Sequence, residues 1–166
     1  MQPVTLSDMT IDLPLYEQFL EIGQEIGKAS NRDFCGEWDS LDIIFSPLEE
    51  LSDDRYFCTP LNSLSFARTG VDGEHFSFLV FDNVINAKSP VVVTAPMGRE
   101  GSQNAIVAKN FKTFLRLWVR FGGFPLVDLA FDREHALTVY TDAEWQPKGS
   151  TAGSDYNQGD EHRAVL

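Results

Sequence analysis

The stretch that decides the fold is "FARTGVDGEHFSFL", residues 66–79. Phe76 and Phe78 alternate with other residue types, and Leu64 and Phe66 do the same in the run just before. Alternation with a period of two predicts half-buried strands. Between the two runs, Gly-Val-Asp-Gly (70–73) supplies residues that tolerate positive φ in a tight turn. We therefore expect the central hairpin of an antiparallel sheet here.

The same stretch carries side chains of catalytic or metal-binding type. Asp72, Glu74 and His75 could hold a cation, or they could serve Ser65 or Ser77 as the nucleophile of a hydrolase. The glycines, however, lead into a strand rather than into a helix N-terminus, unlike a phosphate loop. No Gly-x-Ser-x-Gly elbow occurs either. A structural turn is the favoured interpretation, and a small hydrolase or metal-binding enzyme at Asp72, Glu74 and His75 is the lesser alternative.

Two helices flank this sheet in the sequence. "IDLPLYEQFLEIGQEIGKA" (11–29) has an apolar face at helical spacing, and Pro14 suits its first turn. "NFKTFLRLWVRFGG" (110–123) repeats the pattern, with Asn110 placed to cap the helix and Gly122 placed to end it. Its basic residues Lys112, Arg116 and Arg120 form one stripe.

Shorter segments complete the outline. In "SPLEEL" (46–51), Ser46 and Glu49 have the spacing of a capping box, which predicts a short helix. "SPVVVTAPM" (89–97) and "AIVA" (105–108) are predicted strands, and "ALTVY" (136–140) is predicted as the last one. The pattern predicts an α+β domain with a mainly antiparallel sheet, an N-terminal helix and a second amphipathic helix near residues 110–121. We expect one domain over residues 1–145 and a weakly ordered polar tail over 146–166.

Charge is distributed unevenly along the chain. The net charge is −12, and residues 1–55 hold 13 acidic residues against three basic ones, a net of −10. Such a surface repels nucleic acid and attracts basic proteins. An aromatic side chain ringed by carboxylates would suit an interface. The predicted partner-binding residues are therefore Glu37, Trp38, Asp39, Asp42, Glu49, Glu50, Asp53 and Asp54. The alternatives are that Trp38 is buried among merely solvated acids, or that the acids pair with the basic stripe.

Composition also limits the class of protein, with respect to membrane insertion, secretion, disulfide bonds and zinc binding. No apolar run approaches a membrane span, and the first ten residues lack the pattern of a secretory leader. Cys35 and Cys58 are expected to be reduced thiols, and no Cys/His spacing suits zinc. We expect a cytoplasmic protein without a cofactor, either a monomer or a homodimer.

Several motifs in order resemble the SUKH superfamily. The order begins with Leu-Pro leading into Tyr-x-x-Phe-Leu on the first helix, continues with a Gly-Asp-Gly-like turn in the central hairpin, and ends with Phe-x-x-Phe-Leu after a short strand. The matching residues are Leu13, Pro14, Tyr16, Phe19, Leu20, Gly70, Asp72, Gly73, Phe111, Phe114 and Leu115. The resemblance spans roughly residues 13–121.

The resemblance implies a binding protein and not an enzyme. The superfamily includes a fungal cell-wall-assembly regulator and many bacterial immunity proteins that are inferred to neutralise toxins, often nucleases or deaminases. A toxin that acts on nucleic acid is usually basic, which agrees with the acidic character of this chain. The resemblance thus implies an immunity protein for a cognate toxin, or alternatively an intracellular regulatory scaffold.

Overall fold

The computed structural model describes residues 9–30, 43–51 and 56–141. Its elements in chain order are β1 (Thr10–Asp12), α1 (Pro14–Ser30), β2 (Ile44–Phe45), a 3-10 helix (Leu48–Glu50), β3 (Ser63–Arg68), β4 (His75–Leu79), β5 (Val84–Asn86), β6 (Val91–Thr94), β7 (Asn104–Ala108), α2 (Phe111–Phe121), α3 (Gly123–Phe131) and α4 (Arg133–Thr141). Five strands form one antiparallel sheet in the order β2-β3-β4-β6-β7. The α+β prediction with a mainly antiparallel sheet is confirmed.

The predicted hairpin is the centre of that sheet. Strands β3 and β4 pair antiparallel, with Ser65 opposite Ser77, and the register shifts by one residue between Ser65 and Ala67. The turn adopts the backbone that its composition predicts, with φ values of 79° at Gly70, 49° at Asp72 and 75° at Gly73. Glycine meets no steric penalty there, and aspartate tolerates this region better than most residues do.

Helix α1 begins at Pro14 and packs on the sheet through its apolar face. Tyr16 is fully buried, and its ring lies edge-on to Phe66, Phe78 and Phe111. The Tyr16 hydroxyl donates to the backbone carbonyl oxygens of Ser46 and Phe66, at 2.5 and 3.1 Å. One side chain therefore ties α1 to both β2 and β3.

Helix α2 covers the same face of the sheet beside α1. The Asn110 side chain accepts from the Thr113 backbone N–H at 2.9 Å, which is the predicted N-cap, and Gly122 is the predicted C-cap. Phe111, Phe114 and Trp118 are buried along one face. The rings of Phe111 and Phe114 meet the phenylalanines of β3 and β4, and Trp118 meets Phe45 of β2, so the core between helices and sheet is largely aromatic.

The predicted last strand over residues 136–140 is wrong. This segment lies in helix α4, where the Asp132 side chain accepts from the His135 backbone N–H at 3.0 Å and Ala136 is buried. The apolar run before it is helix α3, which buries Gly123, Leu126, Val127 and Ala130. Those positions have the i, i+3, i+4, i+7 spacing of a helix face. The β-branched residues of "ALTVY" were outweighed by a cap and by packing against α3.

The predicted capping box at Ser46 is also wrong. The helical turn there is a 3-10 helix that begins at Leu48, follows Pro47 and has no side-chain cap. The Ser46 backbone N–H instead donates to the Phe66 carbonyl oxygen at 2.8 Å, which continues the pairing of β2 with β3. This sheet bond holds Ser46 in extended backbone outside the helix.

Strands β1 and β5 form a small second sheet. They pair in parallel, with Thr10 opposite Val84, and no clear sequence pattern predicted this pairing.

None of the helices in the described ranges has the length and apolarity of a membrane span. The predicted tail, 146–166, lies outside the described residues.

Candidate functional site

A cavity of about 300 Å³ opens beside the central turn. The sheet, the turn and the segment after residue 55 all contribute to its wall. The lining residues are Ser46, Tyr56, Ser65, Ala67, Arg68, Gly70, Val71, Gly73, Glu74 and His75. Two of the three residues singled out as a hydrolase or metal site, Glu74 and His75, therefore face the same space.

Both ring nitrogens of His75 are already engaged. Nδ1 lies 2.8 Å from the Gly73 carbonyl oxygen, which can only accept, so Nδ1 carries the proton. Nε2 then accepts from the Thr59 hydroxyl at 3.2 Å. Burial lowers the pKa of His75, with the Gly73 hydrogen bond acting in the opposite direction. The imidazole is therefore neutral, and its single acceptor is already occupied.

The hydroxyl groups near His75 are not placed as nucleophiles. A Thr59–His75–carbonyl chain has the order of a nucleophile, a base and an orienting group. The Thr59 hydroxyl, however, is buried and accepts from the Tyr56 backbone N–H at 3.1 Å. Ser77 is fully buried and its hydroxyl lies 3.1 Å from that of Ser65. The Thr59–His75 bond fastens residues 56–59 to strand β4, and the Ser65–Ser77 contact joins β3 to β4.

Glu74 is a buried carboxyl group at the end of the turn. Burial raises the pKa of Glu74, a hydrogen bond from the Thr69 hydroxyl at 3.1 Å lowers it, and the charges of Asp72 and Asp128 raise it. Asp72 itself is exposed at the tip. Within the described ranges, no group of three His, Cys, Asp or Glu side chains is arranged to hold a metal ion. The hydrogen bond from Thr69 to Glu74 is thus part of the structure of the turn itself.

The predicted partner-binding set falls mostly outside the described residues. This applies to Glu37, Trp38, Asp39, Asp42, Asp53 and Asp54. Glu50 is exposed at the end of the 3-10 helix, and the backbone of Glu49 lies in the same turn. Cys58 is a free thiol whose pKa is raised by burial, while Cys35 lies outside the described ranges.

Helix α1 carries the acidic surface that the structure does describe. Glu17, Glu21 and Glu25 are exposed along one stripe. Ile22 and Ile26 follow two of them in sequence and are each 50% exposed, so an apolar stripe lies about 100° around the helix from the acidic one. We call these five residues the α1 surface. Its acids appear in the sequence as a self-repelling stripe, but the exposure of Ile22 and Ile26 appears only in the fold.

The basic stripe of α2 is also turned outward. Lys112, Arg116 and Arg120 are exposed, and Arg120 lies over the Phe121 ring at 5.1 Å. In the part of the chain that the structure describes, no ion pair joins this stripe to the acids of α1. The basic stripe of α2 is therefore not paired with the described acids of α1.

Two contacts of the cavity residue His75, with Tyr56 and Thr59, were not anticipated from the sequence. Tyr56 stacks on His75 with ring centroids 5.8 Å apart, Thr59 bonds to His75, and Arg68 lies exposed at the end of β3 opposite His75. The contacts of Tyr56 and Thr59 join positions 16 to 19 residues apart in segments without a recognisable motif. No local pattern could have identified them.

The comparisons with known proteins add no relative. A scan against protein-family models, a search of curated proteins and a search of solved structures each find no match for this chain. The chemistry of the described surfaces therefore carries the functional interpretation.

Proposed function

We propose that this chain is a non-enzymatic protein-binding domain of SUKH type that acts in the cytoplasm. In its most specific form it is an immunity protein that binds and blocks a basic toxin, for example a nuclease-like one. The observation that carries the proposal is the α1 surface, in which Glu17, Glu21 and Glu25 run beside the half-exposed Ile22 and Ile26.

The charge of this surface favours a basic protein as the partner. Like charges at i, i+4 repel one another and destabilise an isolated helix, and Lys28, three residues after Glu25, offsets this only at the C-terminal end of the stripe, so Glu17 and Glu21 would gain from an approaching cation. The first 55 residues carry a net charge of −10, so acidic character is not confined to this stripe in the sequence. Such a field speeds the encounter with a basic surface and repels nucleic acid.

The apolar part of the surface favours a protein over a small cation. Side chains such as Ile22 and Ile26 gain free energy when a partner covers them, at about 25 cal/mol per Å² of apolar area. Acidic residues beside an apolar strip are compatible with the common division of an interface into an apolar centre and a polar rim.

The state of the cavity also supports binding rather than catalysis. The acceptor nitrogen of His75 is turned to the Thr59 hydroxyl, and the hydroxyls of Thr59 and Ser77 are buried in hydrogen bonds. Catalysis at this turn would first require breaking the bonds that hold residues 56–59.

The decisive experiment measures binding to a toxin domain encoded by the adjacent gene. Calorimetric affinity should fall steeply with added salt, because exposed charges are screened. The variant Glu21→Lys with Glu25→Lys should weaken binding at least about tenfold. The matched control, Glu100→Lys with Glu134→Lys, makes the same change in net charge elsewhere and should have little effect.

Two further results would change the interpretation. If reversal of Glu37, Asp39 and Asp42 weakens binding while the α1 variant does not, the contact lies in the other acidic segment. If neither variant weakens binding, the acidic-interface hypothesis is wrong. A neighbouring gene that encodes no toxin would favour the regulatory scaffold instead.

A further inference from the structure

Strand β7 is an edge of the main sheet with an unpaired outer side. In the sheet order it has a single neighbour, β6. The alternation of hydrogen bonds identifies which of its residues point outward. The Ala95 backbone N–H donates to the Gln103 carbonyl oxygen at 2.8 Å, so Ala95 and Gln103 form a hydrogen-bonded pair. In an antiparallel ladder every second residue pair is hydrogen-bonded, so Ala105 also bonds to Val93. The backbone N–H and C=O groups of the β7 residues between these pairs point away from β6.

The outward residues are therefore Asn104 and Ile106. They lie opposite Thr94 and Val92 in the non-bonded positions of the ladder. Across the described residues, no backbone group pairs with their outward N–H and C=O groups. Unpaired edges of this kind are templates for an added strand.

The edge carries an exposed apolar side chain beside a polar one. Ile106 is 66% exposed at the centre of β7. Asn104, two residues before it and therefore on the same face, donates through Nδ2 to the Cys58 carbonyl oxygen at 2.7 Å. That bond places Phe57, which is 85% exposed, beside the same edge. Natural edges usually carry lysine or proline as protection, and neither occurs within β7.

We propose that β7 pairs antiparallel with β7 of a second copy of this chain, which joins the two sheets across a two-fold axis at Ala105. In this register Asn104 of each copy lies opposite Ile106 of the other. Both outward-facing positions then form hydrogen-bonded pairs, with four backbone bonds in total. The Ile106 side chain of one copy lies over Asn104 of the other and therefore beside its Phe57.

Charge complementarity at the ends of the strand favours the same register. Lys109 and Glu100 are both exposed and flank the two ends of β7, so antiparallel pairing brings Lys109 of one copy toward the end of β7 that carries Glu100 in the other. The symmetry makes this pairing occur twice. A chain segment of unrelated sequence would not provide this match automatically, which is why the inference commits to a second copy.

The overall charge predicts how the dimer responds to salt. Two chains of −12 repel one another, so screening should strengthen this association. The complex with a basic protein should instead weaken with salt. The β7 edge is separate from the α1 surface, so this inference stands independently of the proposed function.

The test is sedimentation of the full chain over a wide range of protein and salt concentrations. We expect a monomer–dimer equilibrium that shifts toward dimer with salt. Ile106→Lys should raise the dimer dissociation constant about a hundredfold, at about tenfold for each of the two symmetric contacts. Val119→Lys makes the same substitution type at an exposed position on α2 and should leave the constant unchanged.

Phe57→Ala provides a second variant that is safe for folding, because the ring is almost fully exposed. It should also weaken the dimer, and circular dichroism would verify that each variant is folded. A monomer under all conditions would overturn the proposal. A dimer whose dissociation constant is unchanged by both Ile106→Lys and Phe57→Ala would overturn it as well. So would a dimer that dissociates as salt is added.

Discussion

Gly73→Ala is expected to destabilise the protein by about 2–3 kcal/mol, through two effects that can be separated. The backbone at Gly73 has φ 75°, a left-handed conformation that costs an L-residue about 1–2 kcal/mol. A Cβ at this position would also overlap the Tyr56 ring. That ring stacks on His75, and losing such a contact costs about 1 kcal/mol.

Gly101→Ala is the matched control for backbone strain. Its φ of 85° is similar, and a Cβ there would meet nothing within 4 Å. We expect it to lose only the conformational part, about 1 kcal/mol. The free energy of unfolding would be measured by urea denaturation followed by circular dichroism, with the m-value checked for two-state behaviour.

A double-mutant cycle isolates the steric part. In a Tyr56→Ala background the ring is absent, so Gly73→Ala should cost no more than Gly101→Ala does. The reasoning is refuted if Gly73→Ala costs the same with and without the Tyr56 ring, or if it is as mild as Gly101→Ala in the wild type.

Two other predictions concern buried polar groups. Glu74→Gln should stabilise the protein at neutral pH. Burial raises the pKa of Glu74, so the stability that the protonated carboxyl group contributes is present below the unfolded pKa and is lost as pH rises through the folded pKa. Glutamine stays neutral and does not suffer this loss. The amide oxygen can still accept from Thr69, so the gain over wild type, measured by urea denaturation, should disappear in acid; a gain that is unchanged in acid would contradict this cause. Tyr16→Phe should cost about 1–3 kcal/mol, because the Ser46 carbonyl oxygen loses its donor while the Phe66 carbonyl oxygen keeps the Ser46 N–H. Thermal unfolding would measure that loss, and an unchanged midpoint would show that the hydroxyl does not hold α1 to the sheet.

The sequence predicted well where local pattern and tertiary packing agree. Helix α2 has a capping side chain at Asn110, an apolar face and a terminal glycine, and each of these acts in the structure as the pattern implies. The hairpin succeeded for the same reason, since Gly70 and Gly73 suit only a turn and the flanking residues alternate.

The predictions failed where the secondary structure of a short segment depends on contacts with neighbouring elements. Residues 136–140 are rich in β-branched side chains, yet Asp132 starts a helix that α3 then packs against. At Ser46 the backbone N–H was needed by the sheet, so the residue could not cap a helix. The cavity wall depends on Thr59 meeting His75 across the fold, which no local pattern specifies.

The hydroxyl of Tyr16 has a consequence for synthesis of the chain. Its two acceptors lie 30 and 50 residues later, and the Phe111 ring against which it packs comes later still. At translation rates of about 5–20 residues per second, helix α1 leaves the ribosome several seconds before its binding surface exists. During that interval its apolar face is uncovered, and the stripe of Glu17, Glu21 and Glu25 on the opposite side keeps nascent chains apart by mutual repulsion. We expect charge reversal of this stripe to raise aggregation during synthesis.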